Sequence, residues 1–233
     1  MATSAITMLP GSETLQPHIE NSIPYYNFHR LSQFLELEHL VLTRLGGVSS
    51  PPFASLNVSY ETGDEAGKVQ ENMRRVRAAT DCSSLIYARQ NHSSNIVVLR
   101  EHPRFDPTIP YPLHGKDGFI TQLSGLLMMI KVADCQAILL YDPEKKVVAI
   151  IHAGWRGSVK NIAGNAVYLM QAHFRCDPQD IFAGIGPSLG PCCGEFRNWR
   201  QELSPSFSRF QIQKNYFDFW AISQYQLMEA GLL

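Results

Sequence analysis

The chain has 233 residues, 45% hydrophobic and 18% charged, with a formal net charge of -1. That is enough apolar material for a large buried core, and the charge balance argues against nucleic acid or an anionic membrane surface as the main partner. The longest apolar run, LLMMIKVADCQAILLY, is interrupted by Lys131 and Asp134 and does not read as a membrane span.

Residues 1–22 are polar and expected to be flexible, and the length allows one large domain or two small ones. The start, MATSAITMLPGSETL, lacks the basic-then-apolar order of a secretory signal. Cysteines fall at Cys82, Cys135, Cys176, Cys192 and Cys193, an odd number with two adjacent, which fits no disulfide framework. A reduced, cytoplasmic setting follows as the expectation.

Ile23 to Phe28 and Leu40 to Thr43 read as strands, and GGVSSPPFASLN as a loop. Val69, Met73 and Val76 share one face of a helix expected over Asp64 to Thr80. Strands are expected at Ser84 to Arg89 and Asn95 to Leu99, on either side of QNHSS. Four prolines between His102 and Lys116 mark a surface loop, followed by short strands at Gly118 to Thr121 and Leu126 to Ile130. CQAILLYDPEKKVVAIIH is two apolar runs around a turn, the pattern of a hairpin. A turn centred on Pro143 and Glu144 sets Cys135 directly opposite His152, with Cβ atoms roughly 4.5–5.5 Å apart. Both hairpin faces are apolar, so these strands are expected to be central and buried. After His152 the glycines Gly154 and Gly157 bracket a turn, and Ser158 is placed to cap a helix carrying Val159, Ile162, Ala163, Ala166, Val167 and Met170 on one stripe. A last helix is expected over Phe217 to Ala230. Strands and helices mix without strict alternation, which favours an α+β fold.

Cys135 and His152 admit more than one chemistry. They suit a metal with an open coordination position, a nucleophile–base dyad, or a core cysteine facing a hydrogen-bonded histidine. The residues alone do not choose the third ligand among the remaining histidines, although His92 stands in a short turn that can present it to a cleft. Arg44 and Arg156 each leave a strand beside glycines, and a helix start near Arg156 offers an anion site. Trp155 reads as packing. Neither of the usual nucleotide-binding glycine loops is present.

TRLGGVS, SLN at 55–57, ENMRR at 71–75, QNH at 90–92, DGFIT, ADC at 133–135, HAGWRG and AGIGPSLGPCC follow one another along the chain. Together they resemble the polyphenol oxidase, or laccase-domain, family of YfiH type, from about Ile23 to the C-terminus. The resemblance implies a single domain with a central β-sandwich-like mixed sheet flanked by helices. It implies metal ligands at His92, Cys135 and His152, and substrate or phosphate contacts from Arg44, Asn57 and Arg156. Asp117 matches a family aspartate that would support a ligand or act as acid/base. The implied activity is zinc-dependent purine nucleoside phosphorolysis of adenosine, inosine and methylthioadenosine, with adenosine deamination. Alternatives are a copper-dependent polyphenol oxidase, a peptidoglycan editing factor, or a binding protein with impaired catalysis. Purine nucleoside and phosphate are the implied partners, with no nucleic acid or membrane, and a monomer or homodimer is expected. The family's Gln-Val-His-Gly is replaced by Gln90-Asn91-His92-Ser93, which is expected to reshape that turn. The family pattern also continues past Leu233 with a Cys-Thr pair and a Phe-Ser-x-Arg-Arg element, so a C-terminal tail is expected to be missing.

Overall fold

The structure, a computed structural model, describes residues 15–80, 84–103 and 113–233. Most of the proline-rich loop and Cys82 therefore lie outside the described residues. The chain divides into two units, one up to Thr80 and one from Asp81.

In the first unit, strand β1 (Leu15–Glu20) pairs antiparallel with β2 (Ile23–Phe28), which also pairs with β3 (Val41–Leu42). The segment expected to be loose up to residue 22 is thus paired from Leu15 onward. Asn21 and Ser22 both have positive φ, the conformation of a two-residue hairpin turn whose twist matches the strands. Helix α1 (Ala66–Ala78) buries Val69, Met73 and Val76, the apolar stripe seen in the sequence, together with Asn72.

The second unit opens with short strands β4 (Ser84–Ile86), β5 (Ala88–Arg89), β6 (Ile96–Leu99), β7 (Leu113–His114), β8 (Gly118–Thr121) and β9 (Leu126–Met128). The hairpin strands β10 (Gln136–Asp142) and β11 (Val147–Ala153) follow. Next come α2 (Trp155–Val159), α3 (Ile162–Phe174) and β12 (Phe182–Ile185). The chain closes with α4 (Trp199–Glu202), β13 (Gln211–Gln213), β14 (Tyr216–Phe217) and α5 (Phe219–Glu229). A mixed five-stranded sheet has the order β12-β10-β11-β8-β6, parallel only between β6 and β8. The hairpin strands are interior, as their two apolar faces require.

One face of this sheet presents Ile138, Leu140, Ala149 and Ile151 to Ile162, Ala166, Val167 and Met170 of α3. Each fully buried aliphatic side chain there contributes about 1.5–3 kcal/mol. The opposite face packs Phe119 and Ile150 against Ile86 and Leu126, from the small parallel sheet of β4 and β9. A third cluster gathers Leu203, Phe207, Phe217 and Ile222, with Trp155 and Phe196 against it. Among the described residues no helix is long and apolar enough to cross a membrane.

Two local expectations change. The hairpin turn is a four-residue loop, Pro143 to Lys146, not a turn centred on Pro143 and Glu144. The Asp142 carboxylate accepts the Lys145 N–H at 2.9 Å, and Lys146 takes a left-handed conformation (φ 53) that returns the chain. Ser158 is not a helix cap. It is buried inside α2 with its hydroxyl donating to the Gly154 carbonyl, and α3 starts separately with the Asn161 side chain accepting from the Gly164 N–H.

Candidate metal centre

The longer loop moves the hairpin register by two residues, so His152 faces Ala137 rather than Cys135. An even shift keeps the face. Cys135 therefore remains on the His152 side of the sheet, one diagonal step away, just before β10 begins. On the other flank of β11, Ile151 pairs with Gly118, and the ladder continues as the His152 N–H donates to the Asp117 carbonyl at 2.7 Å. His152 is thus held between Asp117 on one neighbour and Cys135 on the other.

The Asp117 side chain is fully buried and His152 is 3% exposed. The imidazole Nδ1 lies 2.8 Å from Asp117 Oδ1, which makes it the protonated nitrogen and leaves Nε2 for the Cys135 side. Burial works against a charged ring, but hydrogen bonds to Asp117 and Cys135 outweigh it and push His152 up to about 9 in the metal-free chain. Burial alone would likewise raise Asp117, yet the bonds from His152 and Ser93 hold it below the usual carboxylate range.

The same carboxylate builds the His92 turn. Its oxygens accept N–H groups from His92 at 3.0 Å and Ser93 at 2.7 Å, with Asn91 at 3.4 Å. Three successive amides pointing at one anion form a nest, and His92 takes the left-handed conformation this needs (φ 59). The positive φ falls on His92, so position 93 has no need of glycine. Instead the Ser93 hydroxyl donates to Asp117 Oδ2 at 2.7 Å and accepts the Asn95 N–H at 3.1 Å. The serine therefore braces the turn. Gln90 fastens it to the loop ahead of Cys135, donating to the Lys131 carbonyl at 2.9 Å and accepting the Lys131 N–H at 2.8 Å.

One ligand atom each from His92, Cys135 and His152 lies within 4.8 Å of the others. The His92 and His152 rings meet edge to face, 4.8 Å between centroids. His92 is held below its ordinary value by desolvation first, then by the charges of His152 and Arg156, so its neutral, ligating form is favoured. Two imidazoles and one thiol, with an exposed side at His92, suit a three-ligand metal site with an open position.

Sequence reasoning gave Gly154 a role only in turning the chain. A Cβ there would lie 2.8 Å from the His92 ring and 3.0 Å from Cys135 Sγ, so the missing side chain is what lets two ligands converge. Arg156 is exposed, its guanidinium 4.3 Å from the Trp155 ring centre. The helix it starts has only five residues, so its dipole is a weak anion site. Trp155 packs edge-on against Phe196, as read from the sequence.

Arg44 and Asn57 belong to the first unit. Arg44 Nε donates to the Ala54 carbonyl at 2.8 Å. The Asn57 amide is taken up within its own loop, by Thr62 at 2.8 Å and Asp64 at 3.0 Å. Asn72, given no role from the sequence, is the buried hub of that loop, joined to Val48, Ser49, Ser55 and Asn57.

Residues 38–233 match the family model described as multi-copper polyphenol oxidoreductase laccase. A purine nucleoside phosphorylase of Bacteroides thetaiotaomicron is 29% identical over 218 residues, 88% of this chain and 81% of that protein. The purine nucleoside phosphorylase YlmD of Geobacillus stearothermophilus is 36% identical over 159 residues, 65% of this chain and 57% of that protein. Among solved structures, the hypothetical protein YfiH of Bacillus licheniformis superposes with a TM-score of 0.74 at 25% identity, covering 91% of this chain and 79% of that one. YlmD from Geobacillus stearothermophilus gives 0.72 at 30% identity, covering 82% and 75%.

Proposed function

The chain belongs to the family described as multi-copper polyphenol oxidoreductase laccase, and from that premise we propose that it is a zinc-dependent purine nucleoside phosphorylase. The observation that carries the reading is the His92, Cys135 and His152 cluster backed by a buried Asp117. The purine nucleoside phosphorylases among its relatives supply the substrate class. Inosine, adenosine and methylthioadenosine are the substrates proposed, with adenosine deamination as a second activity.

A metal ion held by the three ligands would supply a Lewis acid for the substrate. The protein's own groups do the rest. Asp117 fixes the tautomer and direction of His152 and the shape of the His92 turn, which makes it a positioning residue rather than a proton carrier. Gly154 keeps the ligands' approach open. Arg156, exposed and near enough for its charge to act on His92, offers a planar pair of donors for phosphate. In phosphorolysis a phosphate oxygen bonds to the ribose anomeric carbon as the glycosidic C–N bond breaks, and the purine leaves with a proton.

The test incubates purified protein with inosine, with and without phosphate. Phosphate-dependent release of hypoxanthine and ribose 1-phosphate, lost in Cys135→Ser, is expected. Equal hypoxanthine release without phosphate refutes phosphorolysis. The second reading, copper-dependent phenol oxidation, rests on the donor set, since imidazole and thiolate also suit copper. Stoichiometric copper in protein grown with both metals, with phenol turnover, would reverse the order.

A further inference from the structure

The turn between Gly190 and Gly194 carries two thiols that the metal cluster does not use. Cys192 and Cys193 are both exposed, and their Sγ atoms lie 3.2 Å apart, one sharing its proton with the other. The turn that brings them together is pinned. The Cys193 and Gly194 N–H groups both donate to the Gly190 carbonyl at 3.0 Å, and Glu195 donates to the Cys193 carbonyl at 2.9 Å. The Gly194 carbonyl accepts from Phe217 at 3.1 Å, while a Cβ on Gly194 would lie 2.9 Å from the Phe217 carbonyl oxygen. Upstream, the Leu189 N–H donates to the Asp134 carbonyl at 2.9 Å. The hydrogen bond to Cys192 holds the Cys193 thiol above its ordinary value.

The remaining described cysteines are placed differently. Cys135 sits in the cluster. Cys176 is buried, and burial together with a hydrogen bond to Asp142 pushes it up to about 12, which leaves it inert.

We propose that Cys192 and Cys193 form a redox-modification site, a vicinal dithiol that hydrogen peroxide closes reversibly to a disulfide. One thiolate attacks a peroxide oxygen. The O–O bond breaks, giving a sulfenic acid and, with the proton released by that thiol, one water. The neighbouring sulfur then attacks the sulfenic sulfur, the S–O bond breaks, and the departing oxygen leaves as a second water with the second thiol's proton. The two sulfurs lose two electrons in total and the peroxide oxygens gain them. Consecutive Cα atoms stand about 3.8 Å apart across a trans peptide. Disulfides usually span about 4.4–6.8 Å. The ring is therefore strained, and a strained, exposed disulfide is of the readily reduced kind.

The test treats metal-loaded full-length protein with limiting hydrogen peroxide, alkylates the free thiols, and weighs the tryptic fragment from Cys176 to Arg197. The expected result is a fragment alkylated only at Cys176 and lighter by two hydrogens, returned to three alkylated thiols by glutathione. Cys192→Ser and Cys193→Ser should each give a dimedone-trappable sulfenic acid and no internal link. Full alkylation of both cysteines after peroxide, or their separate conversion to sulfinic acids, would overturn the proposal. So would a link that survives in Cys192→Ser, because it would then involve Cys176. The readout is thiol state, so it stands or falls apart from nucleoside turnover.

Discussion

Replacing Asp117 with asparagine keeps the shape of the side chain and exchanges one acceptor oxygen for a donor. In the native site Oδ1 faces His152 Nδ1 at 2.8 Å and the His92 N–H at 3.0 Å, while Oδ2 faces the Ser93 N–H and hydroxyl, both at 2.7 Å. If the amide nitrogen takes the first position, it meets two donors. His152 can then turn Nδ1 into an acceptor only by moving its proton to Nε2, the nitrogen needed for the metal. If it takes the second position, the Ser93 N–H loses its partner. A buried donor left without a partner costs about 1–3 kcal/mol, so the metal-free protein should melt several degrees lower. Loss of such support for a ligand typically costs about 10–100-fold in metal affinity. One effect runs the other way. Asp117 helps to keep His152 protonated up to about 9, so its loss eases proton competition at neutral pH. The comparison therefore belongs at pH 9 as well as pH 7, using zinc competition against a chromophoric chelator and circular dichroism to check the fold. The defect should be larger at pH 9 than at pH 7. A variant that folds, binds zinc as tightly as the parent at pH 9 and melts at the same temperature would refute the role given to Asp117.

Three further outcomes are expected. Gly154→Ala should leave the fold intact but lower zinc affinity at least tenfold, read as zinc-to-protein ratio after dialysis, because the new Cβ crowds His92 and Cys135. In the metal-free protein His152 is raised from 6.5 to about 9, so its contribution to stability is fully present below the unfolded value and is lost as pH rises through about 9. Melting temperature should accordingly fall between pH 6.5 and 9 without metal, and zinc should remove that fall because a ligating imidazole is already neutral. Ser93→Gly should loosen the His92 turn by deleting the hydroxyl's hydrogen bonds to Asp117 and Asn95 and its longer one to Gly115, with zinc affinity reduced severalfold and recovered in Ser93→Thr; an unchanged affinity in the glycine variant would remove serine from the site's support.

Much of the fold was readable one element at a time. The stripe of Val69, Met73 and Val76 and the apolar runs on either side of Asp142 are local patterns, set by residue type and period and independent of what they pack against. The hairpin's face was readable too, because a residue's parity along a strand fixes its side. Its register was not, since that hangs on loop length, and here Asp142 and Lys146 close a four-residue loop that Asp-Pro-Glu-Lys did not announce. Ser158 misled for a similar reason: a capping residue type lay where the backbone had already begun a short helix.

By itself, the sequence determined which groups the chain can bring to a metal, namely imidazoles and thiolates at the ends of apolar strands. Only the tertiary structure decided how they meet. Asp117 reaches His152 because β8 lies beside β11, a neighbour relation between strands separated by β9 and β10 along the chain. The His92 turn takes its shape from that same buried carboxylate, which gathers its amides from more than twenty residues away. Local pattern sets the face of an element, but long-range pairing sets its neighbours, and a ligand cluster is made of neighbours.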